Sequence, residues 1–254
     1  MVPLQTSISS FFNVYCKHDG LRKCSMRNVF KGKQFDKRII IEAVGLYCRF
    51  SLSYRDVSEI LRHRGIQVNP TTIMRWVHQY GNLLFVIWKK KNKPTSTSWR
   101  MDETYIKIKR KQHYLYRAID SHGNTLDMCL RKHRDTNAAY AFMKRLIRRY
   151  GEPRALVTDK CAATIAAVNK LKNEGFLKSV DYRLSKYLNN VIEQDHRQIK
   201  KRFSKSLGFQ SMKSAATTIQ GIEVVNALYK KSRRIMSLFD FSVWDEIRYL
   251  LEIA

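Results

Sequence analysis

Residues 99–109, WRMDETYIKIK, alternate in character along the chain. Asp102, Thr104, Ile106 and Ile108 fall on one face of an extended strand, and Met101, Glu103, Tyr105 and Lys107 on the other. The alternation predicts a strand rather than a helix and places Asp102 on the face of the two isoleucines. A buried carboxylate is costly unless it is paired or metal-bound, so Asp102 is either a ligand or a solvated strand end, and spacing alone leaves both open.

Downstream, His113 to Ile119 and Thr125 to Arg131 read as two more strands joined by the turn Ser121-His122-Gly123-Asn124, which completes an antiparallel meander. Asp135 and Thr136 open a helix with apolar positions Ala139, Phe142, Met143, Leu146, Ile147 and Tyr150, closed by Gly151. Ala155-Leu156-Val157 is a short continuous apolar run, as expected of a central strand covered on both faces. A helical segment with Ile165, Val168 and Leu171 follows, then a short strand around Val180 to Leu184 and a long helical stretch from Lys186. The order strand, strand, strand, helix, strand, helix, strand, helix predicts an α/β fold, a mixed sheet with flanking helices.

Two further acids stand out in this frame. Asp159 ends the apolar run where a parallel strand hands over to a helix, a place that suits either a ligand site or an N-cap. Glu193 lies on the long helix with Asn189 and Lys200 on its face, whereas Asp195 is rotated roughly 200° away. Three convergent carboxylates suffice for phosphodiester chemistry, because oxygen ligands suit Mg²⁺ or Mn²⁺ and two such ions can activate a water or a 3′-hydroxyl. Neither a phosphate-cradling G-x-x-x-x-G-K-[ST] loop nor a G-x-S-x-G elbow occurs. His133 and His196 are expected to be surface histidines. Arg197, Lys200, Lys201, Arg202 and Lys205 continue the helix and are expected to contact a nucleic-acid backbone.

Ahead of the meander the period is helical. Ile40, Ala43, Val44 and Tyr47 form one stripe; Ser53 caps a second helix with Asp56 as its box partner, ended by Gly65; Asn69 and Pro70 open a third with Ile73, Trp76, Val77 and Tyr80 before Gly81. Three short helices with a tight turn between the last two fit a helix-turn-helix, whose third helix would offer Thr71, Thr72, Arg75 and Gln79 to DNA. A plain three-helix bundle has the same pattern. Lys89 to Ser98, KKKNKPTSTS, reads as a basic linker, giving an all-α domain over 30–88, a linker over 89–98 and a catalytic domain over 99–254. Residues 1–29 lack clear periodicity, with Met26 just before the first patterned segment, and are an arm or an upstream extension without assigned function.

Charge decides between the two meanings of the helical region. Among 254 residues, 48 Lys and Arg face 21 Asp and Glu, a net +27. Such an excess repels itself in a compact state and points to a polyanionic partner, for which nucleic acid is the first candidate. No 18-residue apolar run exists, so a membrane is not expected. Five cysteines without a C-x-x-C pair, and no secretory signal, lead to the expectation of free thiols in a reducing cytoplasm; Cys16, His18 and Cys24 lack a fourth zinc ligand at finger spacing.

Taken together, WRMDETYIKIK, HYLYRAID, LVTDK and KYLNNVIEQDHRQIKKR resemble the bacterial insertion-sequence transposases of the insertion-sequence-six family, with further likeness in SYRDVSEIL, TTIMRWVHQYG, IWKKKNK, AYAFMKRLI and GIEVVNALYKK. The resemblance runs from about Phe30 through the last helix. It implies a helix-turn-helix ahead of a ribonuclease-H-like, integrase-type DDE domain, with Asp102, Asp159 and Glu193 as catalytic metal ligands and Lys200 as their basic companion. It also implies recognition of terminal inverted repeats, strand cleavage and transfer through two Mg²⁺ or Mn²⁺ ions, cointegrate products, a homodimer or larger assembly on transposon ends and target DNA, and a nucleoid-associated place in a bacterial cytoplasm. The sequence departs from the family pattern at Arg110 and Gln112, where Gly and Trp are usual, and at Cys161-Ala162, where Ala-Pro is common. Two alternatives stand beside the transposase: a catalytically decayed, DNA-binding repressor of the same family, and a nuclease of the same fold that cuts without joining.

Overall fold

The computed structural model describes residues 29–91, 94, 96–185, 190–203, 208–230 and 243–252, with backbone alone at Lys91, Asp195, Gln198, Lys201, Arg202, Val243, Trp244, Glu246, Tyr249 and Glu252. Almost all of the N-terminal arm, with Cys16, His18 and Cys24, lies outside these residues. Cys48, Cys129 and Cys161 are free thiols. No helix among the described residues is long and apolar enough to cross a membrane.

Five strands form one mixed sheet: β1 (Ser98–Ile108), β2 (Lys111–Asp120), β3 (Thr125–Arg131), β4 (Ala155–Thr158) and β5 (Asp181–Leu184). Their order across the sheet is β3-β2-β1-β4-β5. The first three pair antiparallel and β4 and β5 add in parallel on the far side of β1. That is the α/β arrangement expected from the sequence.

Helices α4 (Thr136–Tyr150) and α5 (Ala162–Asn173) follow β3 and β4, and their apolar stripes pack with Trp99, Met101 and Tyr116 into one core. Asp135 caps α4 by accepting from the Ala138 N–H at 2.7 Å, and Gly151 closes it at φ 82°. Strand β1 changes environment half-way: Trp99 and Met101 are buried on the face of α4 and α5, whereas from Thr104 onward only the opposite face, Thr104, Ile106 and Ile108, is buried. Helix α6 (Asn190–Phe203) packs against β1 and presents a buried stripe of Ile192, His196 and Ile199.

The N-terminal helices are α1 (Lys37–Arg49), α2 (Tyr54–His63) and α3 (Pro70–Lys91). The starts of α2 and α3 are those the sequence specifies. Asp36 caps α1, Ser53 and Asp56 form a reciprocal capping box at α2, and Asn69 Oδ1 accepts from the Thr71 N–H at 2.9 Å. The end of α3 is a correction. The helix does not stop before Gly81 but continues for 22 residues to Lys91, through the first residues of the expected linker.

The reason is a packing contact invisible in the local sequence. Helices α7 (Met212–Tyr229) and α8 (Val243–Glu252) pack on α1 and α3. At the α3–α7 crossing, a Cβ on Gly81 would lie 3.1 Å from the Thr217 carbonyl and 3.3 Å from the Gly221 Cα. Gly81 is there to let two backbones approach, not to end a helix. Lys89, placed in the linker by composition, is a helical residue that donates to the buried Asp127 at 3.0 Å. Residues 33–254 accordingly form one compact unit rather than two domains on a tether.

Candidate active site

Parallel pairing of β1 with β4 matches Ser98, Trp99 and Arg100 with Ala155, Leu156 and Val157. Continued two residues further, that register brings Asp102 level with Asp159. Asp159 stands just beyond the C-terminal end of β4, where open sheets collect ligands. It is not the N-cap of α5, a position held by Cys161. Instead its Oδ1 accepts from the Cys161 N–H at 3.1 Å, which restrains the carboxylate.

Asp102 is largely buried, its side chain 17% exposed, and its Oδ2 lies 3.8 Å from Nε2 of His196 on α6. Burial pushes its pKa up to about 7, a Glu103 backbone hydrogen bond pulls the other way, and the nearby Glu103, Asp159 and Glu193 carboxylates add to the rise. Asp159 and Glu193 are thus both within electrostatic reach of Asp102. Glu193 lies in the first turn of α6, where the helix dipole favours an anion, and is exposed on the flank of the buried stripe rather than facing the sheet. Lys200 and Arg197 are exposed on the same helix; the side chains of Lys201 and Arg202 and all of Lys205 lie outside the described residues.

Three residues of the site went unrecognised in the sequence. Glu103, on the opposite face of β1 from Asp102, has a side chain only 3% exposed, and Arg134 bridges it to Asp159, donating from Nε to Glu103 and from a terminal nitrogen to Asp159 Oδ2 at 3.0 Å. Burial raises the Glu103 pKa and Arg134 opposes the rise. His196 was expected at the surface. It is 1% exposed, because it completes the helical stripe with Ile192 and Ile199, a spacing that the sequence displays. His133 is exposed as expected, and so are Thr71, Arg75 and Gln79, with Thr72 half-buried. Gln79 accepts from the Lys33 ammonium at 2.9 Å.

Among the described residues, one group of ligand atoms is close enough together to hold a cation. Oxygen and sulfur atoms of Glu103, Asp159 and Cys161 lie within 4.8 Å of one another. In that group, however, Arg134 already neutralises both carboxylates and the thiol is a soft donor. Asp102, Asp159 and Glu193 offer hard oxygen donors, and the Asp102 carboxyl, raised by burial, lies within electrostatic reach of the other two. Oxygen donors of this kind are those that hard divalent cations prefer.

Among families of known proteins, the one described as "DDE domain" matches residues 96–232. The chain is 51% identical over 224 residues to the transposase for insertion sequence-like element IS431mec and to that for insertion sequence element IS257 in transposon Tn4003, both of Staphylococcus aureus. Each match covers 88% of this chain and 99% of the relative. More distant likenesses are to the HTLV-2 integrase catalytic core domain in complex with magnesium, in its trimeric form, at 15% identity and TM-score 0.41 over 60% of this chain and 96% of that one. The catalytic core domain of BIV integrase gives 18% and 0.39 over 62% and 97%. With the family matched over more than half of the chain and the relatives over nearly all of their length, the chain belongs to the DDE transposases of the insertion-sequence-six family.

Proposed function

We propose that this transposase binds the terminal inverted repeats of its element and uses Asp102, Asp159 and Glu193 to hold two Mg²⁺ or Mn²⁺ ions for strand cleavage and strand transfer, giving cointegrates. The observation that carries the assignment is the state of Asp102: a mostly buried carboxylate beside two other acids, its pKa raised to about 7. When bound, the ions supply activation of a water or 3′-hydroxyl and stabilisation of the leaving oxygen.

The protein's own groups have distinct tasks around them. Asp102 is presented from a central strand with buried His196 beside it. Asp159 is oriented by two donors, the Cys161 N–H and the Arg134 guanidinium, so that a carboxylate at a strand end keeps one direction. Glu193 is more exposed and adjusts to the DNA. Lys200, two turns further along the same helix, neutralises a phosphate next to the reacting one. On α3, Thr71, Thr72, Arg75 and Gln79 read the inverted repeat through the major groove. Two ends must be joined in one event, so the working form is a homodimer or larger, acting on transposon ends and target DNA at the nucleoid.

Strand transfer from a pre-cleaved end oligonucleotide into a plasmid in Mg²⁺, wild type against Glu193→Gln, tests the assignment. Joined product from the wild type alone supports it. Hydrolysis without joining would mean a nuclease, and DNA binding without either would mean a decayed repressor. On α3, Arg75→Ala should weaken binding to element ends more than to random duplex. Equal losses would reduce Arg75 to a phosphate contact.

A further inference from the structure

The face of β1 that carries Glu103 is covered by α4 and α5 only as far as Met101. Beyond it, Tyr105 is 52% exposed and Lys107 is exposed, although they sit on a central strand. A groove of about 840 Å³ lies at this end of the sheet, its lining including Lys109, Lys111 and Tyr114 of the hairpin together with Lys132, His133 and Arg134. No carboxylate lines it. Among the described residues, none of Lys109, Lys111 and Lys132 has an ion-pair partner. The groove runs up to Arg134, which holds Glu103 and Asp159.

Two features distinguish it from an ordinary solvated basic surface. Tyr114, which lines the groove, and its register partner Tyr105 on β1, which extends the tyrosine surface outside the groove lining, form an edge-on pair with centroids 5.3 Å apart. The hairpin tip is also strained: Lys109 and Arg110 both have positive φ, 49° and 63°, in a two-residue turn where Gly or Asn is usual. It is clamped from outside, Lys109 N–H donating to the Phe209 carbonyl at 2.7 Å and Phe209 N–H to the Lys107 carbonyl at 2.9 Å. Basic side chains are thus displayed from a backbone that disfavours them, a pattern that collects at ligand sites.

Building on the proposed function, we propose that this groove binds an unpaired DNA strand adjoining the reacting phosphodiester. Lys109, Lys111 and Lys132 neutralise its phosphates, and a base stacks on Tyr105 and Tyr114. Lysines with aromatic platforms at stacking reach are the chemistry of single-strand recognition, whereas duplex binding has no use for an exposed tyrosine pair. Arg134 links the groove to the acids, because it lines one and bonds to the other.

The test is fluorescence anisotropy in chelator, with labelled end duplexes that are blunt or carry a short single-stranded flank. The full chain is compared with Tyr105→Ala, with Tyr105→Trp, and with Lys109→Asn, Lys111→Ala and Lys132→Ala combined; asparagine tolerates the left-handed backbone at position 109. The wild type should prefer the flanked duplex by about tenfold, the size of one base–aromatic stack. Tyr105→Ala should erase that preference and Tyr105→Trp keep it. The triple variant should flatten the log-log salt dependence for flanked DNA by about 2, at roughly 0.7 per phosphate. Equal affinity of the wild type for both duplexes, or a preference that survives Tyr105→Ala, overturns the proposal. Binding in chelator needs neither metal nor joining. A lost preference with strand transfer intact therefore sinks the groove alone, and a retained preference without strand transfer sinks the catalytic assignment alone.

Discussion

Two clusters of charge lie side by side in this protein. Arg117 is the register partner of Asp102 across β1 and β2, yet it turns to Glu223 of α7 at 2.6 Å, with both side chains at most 2% exposed. Thr125 also donates to Glu223 at 2.6 Å. One cation meets one anion there, sealed from water. At the neighbouring site, Arg134 bridges Glu103 and Asp159, Asp102 lies within electrostatic reach of Glu103, Asp159 and Glu193, and the pKa values of Asp102 and Glu103 are raised. A balanced, closed cluster holds a fold together; an acid-rich one at a strand end is where the proposed function places its cations. Burial alone does not separate the two.

The largest contrast should appear in activity. Asp159→Asn is expected to reduce strand transfer by about 10³-fold or more, the rate equivalent of the several kcal/mol that a lost metal ligand removes, with DNA binding unchanged. Glu223→Gln should leave the activity per folded molecule near that of the wild type. If Glu223→Gln abolished transfer while the protein stayed folded, the division between the clusters would be wrong.

In stability the ranking reverses. Removing one member of the sealed pair, by Arg117→Met or Glu223→Leu, should cost about 3–5 kcal/mol in urea unfolding, because it leaves a buried charge uncompensated, and the double replacement should recover most of it. Asp102→Asn should do the opposite. An acid whose pKa is raised by folding contributes its stability in full below the ordinary carboxylate range and loses it as the pH climbs to about 7. Wild-type protein in chelator should therefore lose stability between pH 4 and 7 and level off above, while Asp102→Asn shows less of this fall and unfolds at a higher temperature than the wild type at pH 8. A variant less stable than the wild type at pH 8 would mean that Asp102 is already compensated.

The smallest effect belongs to the hairpin that carries the far end of β1. Arg110→Gly relieves one left-handed backbone but loosens the unfolded chain, for a net gain of about 0.5–1 kcal/mol. Thermal melts should detect it, and no gain would place the strain in Lys109 alone.

Most of the fold was legible because its signals are local. The Ser53–Asp56 box, Asn69, Asp135 and Gly151 each act within a few residues of the helix end they define, and the alternation from Asp102 to Ile108 survives in the burial of Thr104, Ile106 and Ile108. Gly81 shows where locality fails. Its meaning depends on Gly221, far along the chain, so a helix-internal contact looked like a stop signal and one compact unit looked like two domains. The three acids were visible through position and through family likeness. Arg134 and Glu103 were not, since one more arginine in a chain with 48 basic residues carries no mark of its own. His196 could have been found, because Ile192, His196 and Ile199 keep helical spacing, but histidine is at home both inside and outside.

The central claim, that the acid-rich cluster is a divalent-cation site built on Asp102, Asp159 and Glu193, is tested most directly by Mn²⁺ binding to the full chain at pH 8, followed by electron paramagnetic resonance and by the melting temperature. Wild type and Glu223→Gln should bind Mn²⁺ and melt higher with it, by about 2.7 kcal/mol of stabilisation at a hundredfold excess over Kd, while Asp102→Asn and Asp159→Asn should neither bind nor shift. Equal binding by all four proteins would place the metal elsewhere and contradict the account.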